Sequence, residues 1–362
     1  MTVSRGTDPA TRPRLRELDF LRCLAMLGVL TGHVTSTFVD GESRVRLLGM
    51  NPAFLLNQTI RFAVPLFVLL SGWSLGLAGR PASWAAFWRK KARRFLPPFL
   101  LWSLLYAFSE AGYDPAALLR QFRDGWWRVR IFLLGQAAPH LYYIPLLFQF
   151  YLLSPLLLRW VRKRPGWTLG CAFFSTLLLT GWHMLETLGL LPLPYPPYLW
   201  MSAPLWLFYY VLGLWLARIP PERLRGAAAR SPAVLTPLTA AFALLYCLGS
   251  ARLGVTDSLR PALLLYAPGF LWTGTALWQR LGTRAFVRRA VDFLAPLSMD
   301  IYFSHVLALV WLRRVPLLQV GTRGMLLLLV ATFLASLGLA CGIGAVRRWV
   351  SRRERVNRDG SF

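Results

Sequence analysis

Apolar residues fall in ten runs of roughly membrane-span length, separated by short polar and mostly basic connections. The runs cover roughly 18–39, 54–78, 95–111, 141–158, 168–186, 198–217, 232–250, 261–278, 293–312 and 324–346. Each predicts a helix. Proline and glycine inside several of them do not argue otherwise, because neighbouring helices satisfy freed backbone groups in a bilayer. The pattern therefore predicts an all-α polytopic membrane protein. Its expected organisation is a basic cytoplasmic N-terminus at 1–17, one transmembrane domain at 18–346 and a basic cytoplasmic tail at 347–362. The first run is too long for a secretory signal core and carries Arg22 and His33, so it is expected to be retained.

Composition agrees with this class. Hydrophobic residues make up 56% of the 362 positions and charged ones only 15%, against about a quarter in soluble domains. The net charge of +26 does not signal a nucleic-acid partner, because the basic residues are dispersed between the spans. Counted loop by loop, 28 of the 41 Lys and Arg lie on the side of the N-terminus and 11 on the other. The remaining two, Arg22 and Arg61, lie inside spans. The positive-inside rule then places both termini in the cytoplasm and the chain in an inner or plasma membrane. Sixteen Trp and twelve Tyr suit two membrane interfaces. Cys23, Cys171, Cys247 and Cys341 each lie within an apolar run and have neither disulfide nor metal-ligand spacing; they read as packing residues.

Ionisable groups within spans are costly and mark function by default. Arg22 and His33 are eleven positions apart on the first span, close to one face and about 16 Å apart along the axis. Separately, Arg22 reads as a snorkelling anchor and His33 as a helix-packing residue; their shared face favours a site. Arg61 lies in the outer third of the antiparallel second span, at the depth of His33. Ser71 and Gly72 read as small residues at a close helix contact. Asp300 and His305 point to different sides of the ninth span, one toward a site and the other tying helices together. His140, with Tyr142 and Tyr143, starts the fourth span as either an aromatic belt or a sugar-binding rim. His183 and Glu186 read as a local hydrogen-bonded pair. The segment 83–94 has the composition of an interfacial amphipathic helix, and 112–140 is either a surface helix or a wall of a substrate entrance. Serine-hydrolase elbow, P-loop, zinc-protease and dinucleotide motifs are absent.

These residues form a pattern that resembles acyltransferase family 3, the ten-span membrane acyltransferases, and within it the branch of surface-polysaccharide O-acetyltransferases. The resemblance rests on ELDFLR with the Gly-His pair at 32–33, RFAVPLFVLLSGW at 61–73, the basic run ending RRFLPPF, and the segments HLYYIPLLFQFYLLSPLL and SMDIYFSHVLAL. It spans about residues 15–345. Where the family often has two arginines three apart, this chain has Lys91 and Arg94; lysine keeps the charge but not the bidentate fork.

The resemblance implies transfer of an acyl group, acetyl by default, from cytoplasmic acyl-CoA to a hydroxyl of a surface glycan or lipid-linked sugar. In that scheme Arg22, Lys91 and Arg94 hold the donor's phosphates. His33 is general base or transient acyl carrier, and Arg61 stabilises the oxyanion or orients the acceptor. His140, Tyr142, Asp300 and His305 are candidates for acceptor binding. No permanently bound cofactor and no metal site is expected; the partners are acyl-CoA, the acceptor and membrane lipids. A transporter or flippase is the competing class, because charges at mid-membrane also mark transport paths. Asp300 is the only acid well inside a span, which favours the enzyme.

Overall fold

The computed structural model describes residues 15–40, 46–47, 49–230, 232–254 and 257–359, with positions 232, 235 and 350–359 as backbone only. Residues 1–14 of the expected basic N-terminus and 360–362 of the tail lie outside the described residues. Among the described residues every regular element is helical, and the one strand-like feature is an isolated bridge between Leu47 and Met50.

Helix α1 (Arg16–Ser36) occupies the middle of the bundle, with Glu17 and Asp19 in its first turn, where acids complement the helix dipole. Helix α2 (Pro52–Thr59) starts at Asn51, whose side chain accepts from the Ala53 N–H, with Pro52 at the first helical position. A single 3-10 turn over Ile60–Phe62 joins it to α3 (Ala63–Ala78). That tightened turn carries Arg61. The run predicted at 54–78 is thus one span-length unit with a local change of pitch.

Helix α4 (Trp84–Glu110) is capped by Ser83 and runs unbroken through Pro97 and Pro98. The amphipathic segment expected at 83–94 is therefore the first part of a long helix. After it, α5 (Pro115–Phe122) and α6 (Gly125–Arg128) are capped by Asp114 and Asp124, and a π-turn follows over Val129–Leu133. Helices α7 (Tyr143–Lys163), α8 (Pro165–Thr187) and α9 (Ala203–Leu216) come next. Then come α10 (Pro221–Arg230), α11 (Pro232–Leu253), α12 (Leu263–Leu281), α13 (Ala285–Leu312) and α14 (Gly321–Asp359). The last helix runs on through positions 347–359, where a tail was expected to begin.

Among the described residues seven helical units are long and apolar enough to cross a membrane: α1, α2 with α3, α7, α8, α9 with its preceding turn, α13 and α14. The other three runs predicted as spans belong to α4, α11 and α12. Helix α4 opens with five cations, and α12 interleaves Thr, Trp and Tyr and carries Gln279 and Arg280 in its last turn, which lowers its mean hydropathy. Large apolar side chains stay outward on many helices, Leu101, Leu152, Phe174 and Leu245 each more than half exposed. Such an outer belt suits hydrocarbon rather than water.

Helices α3 and α9 are in the closest backbone contact. A Cβ on Gly72 would run into the Tyr210 carbonyl, and one on Gly213 into the Leu69 carbonyl and the Trp73 nitrogen. Small residues at such a crossing are a standard membrane device, and Gly72 fulfils that expectation. Around this pair α1 contacts α2, α3, α12, α13 and α14, while α13 packs along α14 and α11 along α12.

Candidate functional site

Three of the four histidines meet in the interior. His33 comes from α1, His140 from the turn that opens α7, and His305 from α13. Ring centroids lie 5.8 Å apart for His33 and His140, 5.2 Å for His33 and His305, and 4.7 Å for His140 and His305. His140 and His305 are 3% and 1% exposed, whereas His33 keeps accessible surface. His33 is therefore the most exposed member of the trio. His140 is buried in this cluster rather than placed in an aromatic belt.

The surroundings fix how each ring is held. The Nδ1–H of His305 donates to the Tyr302 carbonyl at 2.7 Å, which leaves its buried Nε2 as a lone pair without a partner. Neither ring nitrogen of His140 makes a hydrogen bond of ordinary geometry. The Tyr302 hydroxyl donates to the His140 carbonyl and ties α13 to the start of α7. From α4, the Tyr106 hydroxyl donates to the Phe303 carbonyl at 2.7 Å and accepts from the Leu307 N–H at 3.0 Å. It thus occupies the two ends of one helical rung beside His305.

Arg61 stands on the 3-10 turn between α2 and α3. Its guanidinium donates to Asn57 Oδ1 at 2.5 Å and to Ser258 Oγ at 3.3 Å. Asn57 in turn donates to the Gly32 carbonyl and to Thr35 Oγ1, each at 3.0 Å, so α1 and α2 are locked at the level of His33. Nearby, Gln58 Oε1 accepts from Ser250 at 2.9 Å, and Arg260 lies 3.7 Å over the Tyr246 ring.

The three imidazoles are also a grouping with metal-ligand potential, since one nitrogen of each lies within 4.8 Å of the others. A tetrahedral zinc ion with His nitrogens at about 2.1 Å would draw them to roughly 3.4 Å apart. It would also sit beside the permanent charge of Arg61. The trio as spaced fits a packed histidine cluster better than a divalent-cation site.

Two cavities approach the cluster from opposite ends. The inner one, of about 350 Å³, is lined by Arg22, Lys91, Arg94, Ser71, Ser74 and Tyr302, among others. The three cations predicted to act together thus share one cavity. Arg22 donates to Ser74 Oγ at 2.6 Å and to Asp19 Oδ1 at 2.7 Å, so it is oriented within the bundle and is no longer a free snorkelling anchor. Lys91 Nζ lies 4.7 Å from the Tyr151 ring centroid. Lys91 precedes the expected span at 95–111; burial first, and then the charges of Arg94, Lys90 and Arg22, lower its ammonium to about 8. Ser71 shares a 2.9 Å hydrogen bond with the Tyr143 hydroxyl and donates to the Phe67 carbonyl, which makes it a packing residue of the cavity wall.

The outer cavity, of about 650 Å³, is lined by Tyr106, Glu110, Arg130, Gln136, Tyr142 and Trp200, among others. Segment 112–140 therefore supplies a wall of an opening. Tyr142 packs on Trp200 with ring centroids 4.7 Å apart. The cavities converge on one residue: Tyr302 of the inner cavity is 5.1 Å from the His140 ring, and Tyr106 of the outer one is 5.5 Å from it.

Two expected placements differ. Asp300 lines neither cavity; both its oxygens accept from Arg347, at 2.9 and 3.0 Å, and it ties α13 to α14 while His305 faces the cluster. His183 pairs with Asp257 at 3.0 Å across the fold rather than with Glu186 one turn away, because Asp257 reaches it from the 257–262 connection. Among the cysteines, Cys171 is exposed and Cys23 and Cys247 are buried. Tyr106, Tyr302, Trp200 and Asp19 escaped the sequence reading. Tyrosine and tryptophan are common throughout this chain, and only the fold selects among them.

No curated protein and no solved structure matches the chain. The family model of an acyltransferase domain, that of acyltransferase family 3, matches residues 15–345. That match spans the histidine cluster and both cavities, and the chain belongs to acyltransferase family 3, a membrane acyltransferase.

Proposed function

We propose that the protein moves an acyl group, acetyl by default, from cytoplasmic acyl-CoA to a hydroxyl of a surface glycan or lipid-linked sugar. The carrying observation is the convergence of a cationic inner cavity and an aromatic, polar outer cavity on the cluster containing His33. This reading keeps ten spans with both termini cytoplasmic, in an inner or plasma membrane, as the basic loops suggest.

Arg22, Lys91 and Arg94 bind the CoA phosphates through charge-assisted hydrogen bonds. The pantetheine arm then points along the inner cavity past Ser74 and Ser71 toward Tyr302. The acceptor enters by the outer cavity, with Trp200 and Tyr142 offering ring faces to a sugar. His33 removes the proton from the acceptor hydroxyl; the oxygen attacks the thioester carbon, the C–S bond breaks and the protonated His33 returns the proton to the departing thiolate. Arg61 holds the developing oxyanion or orients the acceptor from its Asn57 and Ser258 contacts.

Calorimetry of acetyl-CoA with the purified protein in detergent tests the donor half. Wild type should bind saturably, and Arg22→Ala should weaken binding about 10- to 100-fold, the value of one lost charged hydrogen bond. His33→Ala should bind acetyl-CoA normally and fail to transfer the acyl group. Unchanged affinity in Arg22→Ala, or full transfer in His33→Ala, contradicts the assigned roles.

A further inference from the structure

A third cavity lies apart from the histidine cluster, at the corner where α7 turns into α8. It measures about 490 Å³ and lies between α7, α8 and α9. Its rim holds Arg159, Lys163 and Arg164, all exposed and without an acidic partner among the described residues. Trp160 and Trp167 flank them, 49% and 73% exposed. The floor is apolar and includes Leu157, Ala172 and Val211, each at most 4% exposed.

Three features of the surroundings define an occupant. Directly along α7 and α8 from the cations, the outward surface becomes purely apolar, with Leu152, Leu156, Phe174 and Leu178 exposed. The cavity thus sits where a hydrocarbon-facing belt gives way to charge, the level at which Trp collects in membrane proteins. The rim is wholly cationic and opens beside the start of α8, whose first turn has Pro165 at its first position and no side-chain cap. A soluble anion would find the cations but would leave the apolar floor in contact with water; a zwitterionic lipid would bring a cation of its own to a rim that holds three.

We propose that this cavity binds the headgroup of an anionic phospholipid. Arg159, Lys163 and Arg164 hold its phosphate, Trp160 and Trp167 flank the glycerol, and the acyl chains continue over the apolar floor and the α7–α8 belt. Basic pockets between transmembrane helices recognise acidic headgroups through this combination. The site is separate from the acyl-transfer cavities, so its occupancy is measurable without an acceptor.

Full-length protein in detergent, stripped of endogenous lipid, is titrated with phosphatidylglycerol, phosphatidylcholine or inorganic phosphate, and bound lipid is read by native mass spectrometry. Phosphatidylglycerol should bind at least 10-fold more tightly than phosphatidylcholine, and Arg159→Ala/Lys163→Ala/Arg164→Ala should abolish that preference. The Arg159→Lys/Arg164→Lys variant, which keeps the charges, should retain most of it. Cys171 is an exposed residue of the same cavity, so its maleimide labelling in the wild-type chain, followed by peptide mapping, gives a readout that survives misfolding of a variant. Phosphatidylglycerol should slow it several-fold. Equal protection by phosphatidylcholine or by phosphate alone, no protection by any of the three, or an unchanged lipid preference in the triple alanine variant overturns the proposal.

Discussion

Lys91 lies between Arg94 and the Tyr151 ring, with its ammonium lowered to about 8 by burial and by the neighbouring cations. Below that pH it is charged and, in the proposed donor site, contributes fully to phosphate binding; as pH rises through it, the charge and the contact are lost. Acetyl-CoA affinity of the wild type should therefore fall about 10-fold between pH 7 and 9, the value of one charged hydrogen bond. A guanidinium stays protonated across that range, so Lys91→Arg should give a flat profile with affinity at pH 7 at least as high. Calorimetry at pH 7, 8 and 9 on both proteins decides it. An equal decline in the two would assign the pH dependence to another group. Arg22, by contrast, derives its importance from being held: Ser74 and Asp19 fix the guanidinium, and neither partner was visible from the eleven-residue spacing that singled out Arg22 and His33.

At the scale of elements, the inner cavity depends on how closely α3 and α9 approach. Gly213→Ala would push a methyl into the Leu69 carbonyl and the Trp73 nitrogen, and overpacking of this kind costs about 1–3 kcal/mol. It should lower the melting temperature in detergent and weaken acetyl-CoA binding, because α3 carries Ser71 and Ser74. Gly170→Ala, on an open face with nothing within 4 Å of the added carbon, should leave both unchanged, and similar behaviour of the two variants would refute the crossing as the cause.

A second contact between elements joins α8 to the outer connection. Burial works to raise the Asp257 carboxyl, but the hydrogen bond from His183 and the Leu259 N–H outweigh it and hold the carboxyl below its ordinary value. Its contribution to stability is thus present above about pH 4 and lost as pH falls through the folded value. Partly exposed as the pair is, Asp257→Asn should cost no more than about 1 kcal/mol at neutral pH. The difference between thermal melts of the variant and wild type should shrink steadily as pH is lowered below about 4; a difference that does not change with pH would remove the carboxylate from the explanation.

These contacts show what the chain's pattern carried and what it did not. Apolar runs and helical periodicity are local properties, so the long helices and the face shared by Arg22 and His33 were legible. The 3-10 turn at Ile60–Phe62 was not, because a change from 3.6 to 3.0 residues per turn leaves no mark on hydropathy. Nor was the meeting of His33, His140 and His305, which lie on elements more than a hundred residues apart. The pairing of His183 with Asp257 rather than Glu186, and of Asp300 with Arg347, followed from packing between helices that no local spacing encodes.

For the molecule as a whole, the decisive property is sidedness. The cavity holding Arg22, Lys91 and Arg94 and the cavity holding Trp200 and Tyr142 are separated by the imidazole cluster and the tyrosines around it. With 28 of the 41 basic residues on the side of the N-terminus, the cationic cavity faces the cytoplasm in the proposed orientation. A charged CoA nucleotide cannot cross a bilayer unaided, since even one charge at its centre costs several kcal/mol. Sealed inside-out vesicles carrying the protein and its native acceptor should therefore transfer label from external acetyl-CoA, whereas sealed right-side-out vesicles should not until detergent opens them. His33→Ala should abolish transfer in both preparations, which separates catalysis by this chain from background membrane acetylation. Equal labelling of intact vesicles of both orientations would mean that donor reaches the histidines from either face, and the two-entrance reading of the cavities would fall.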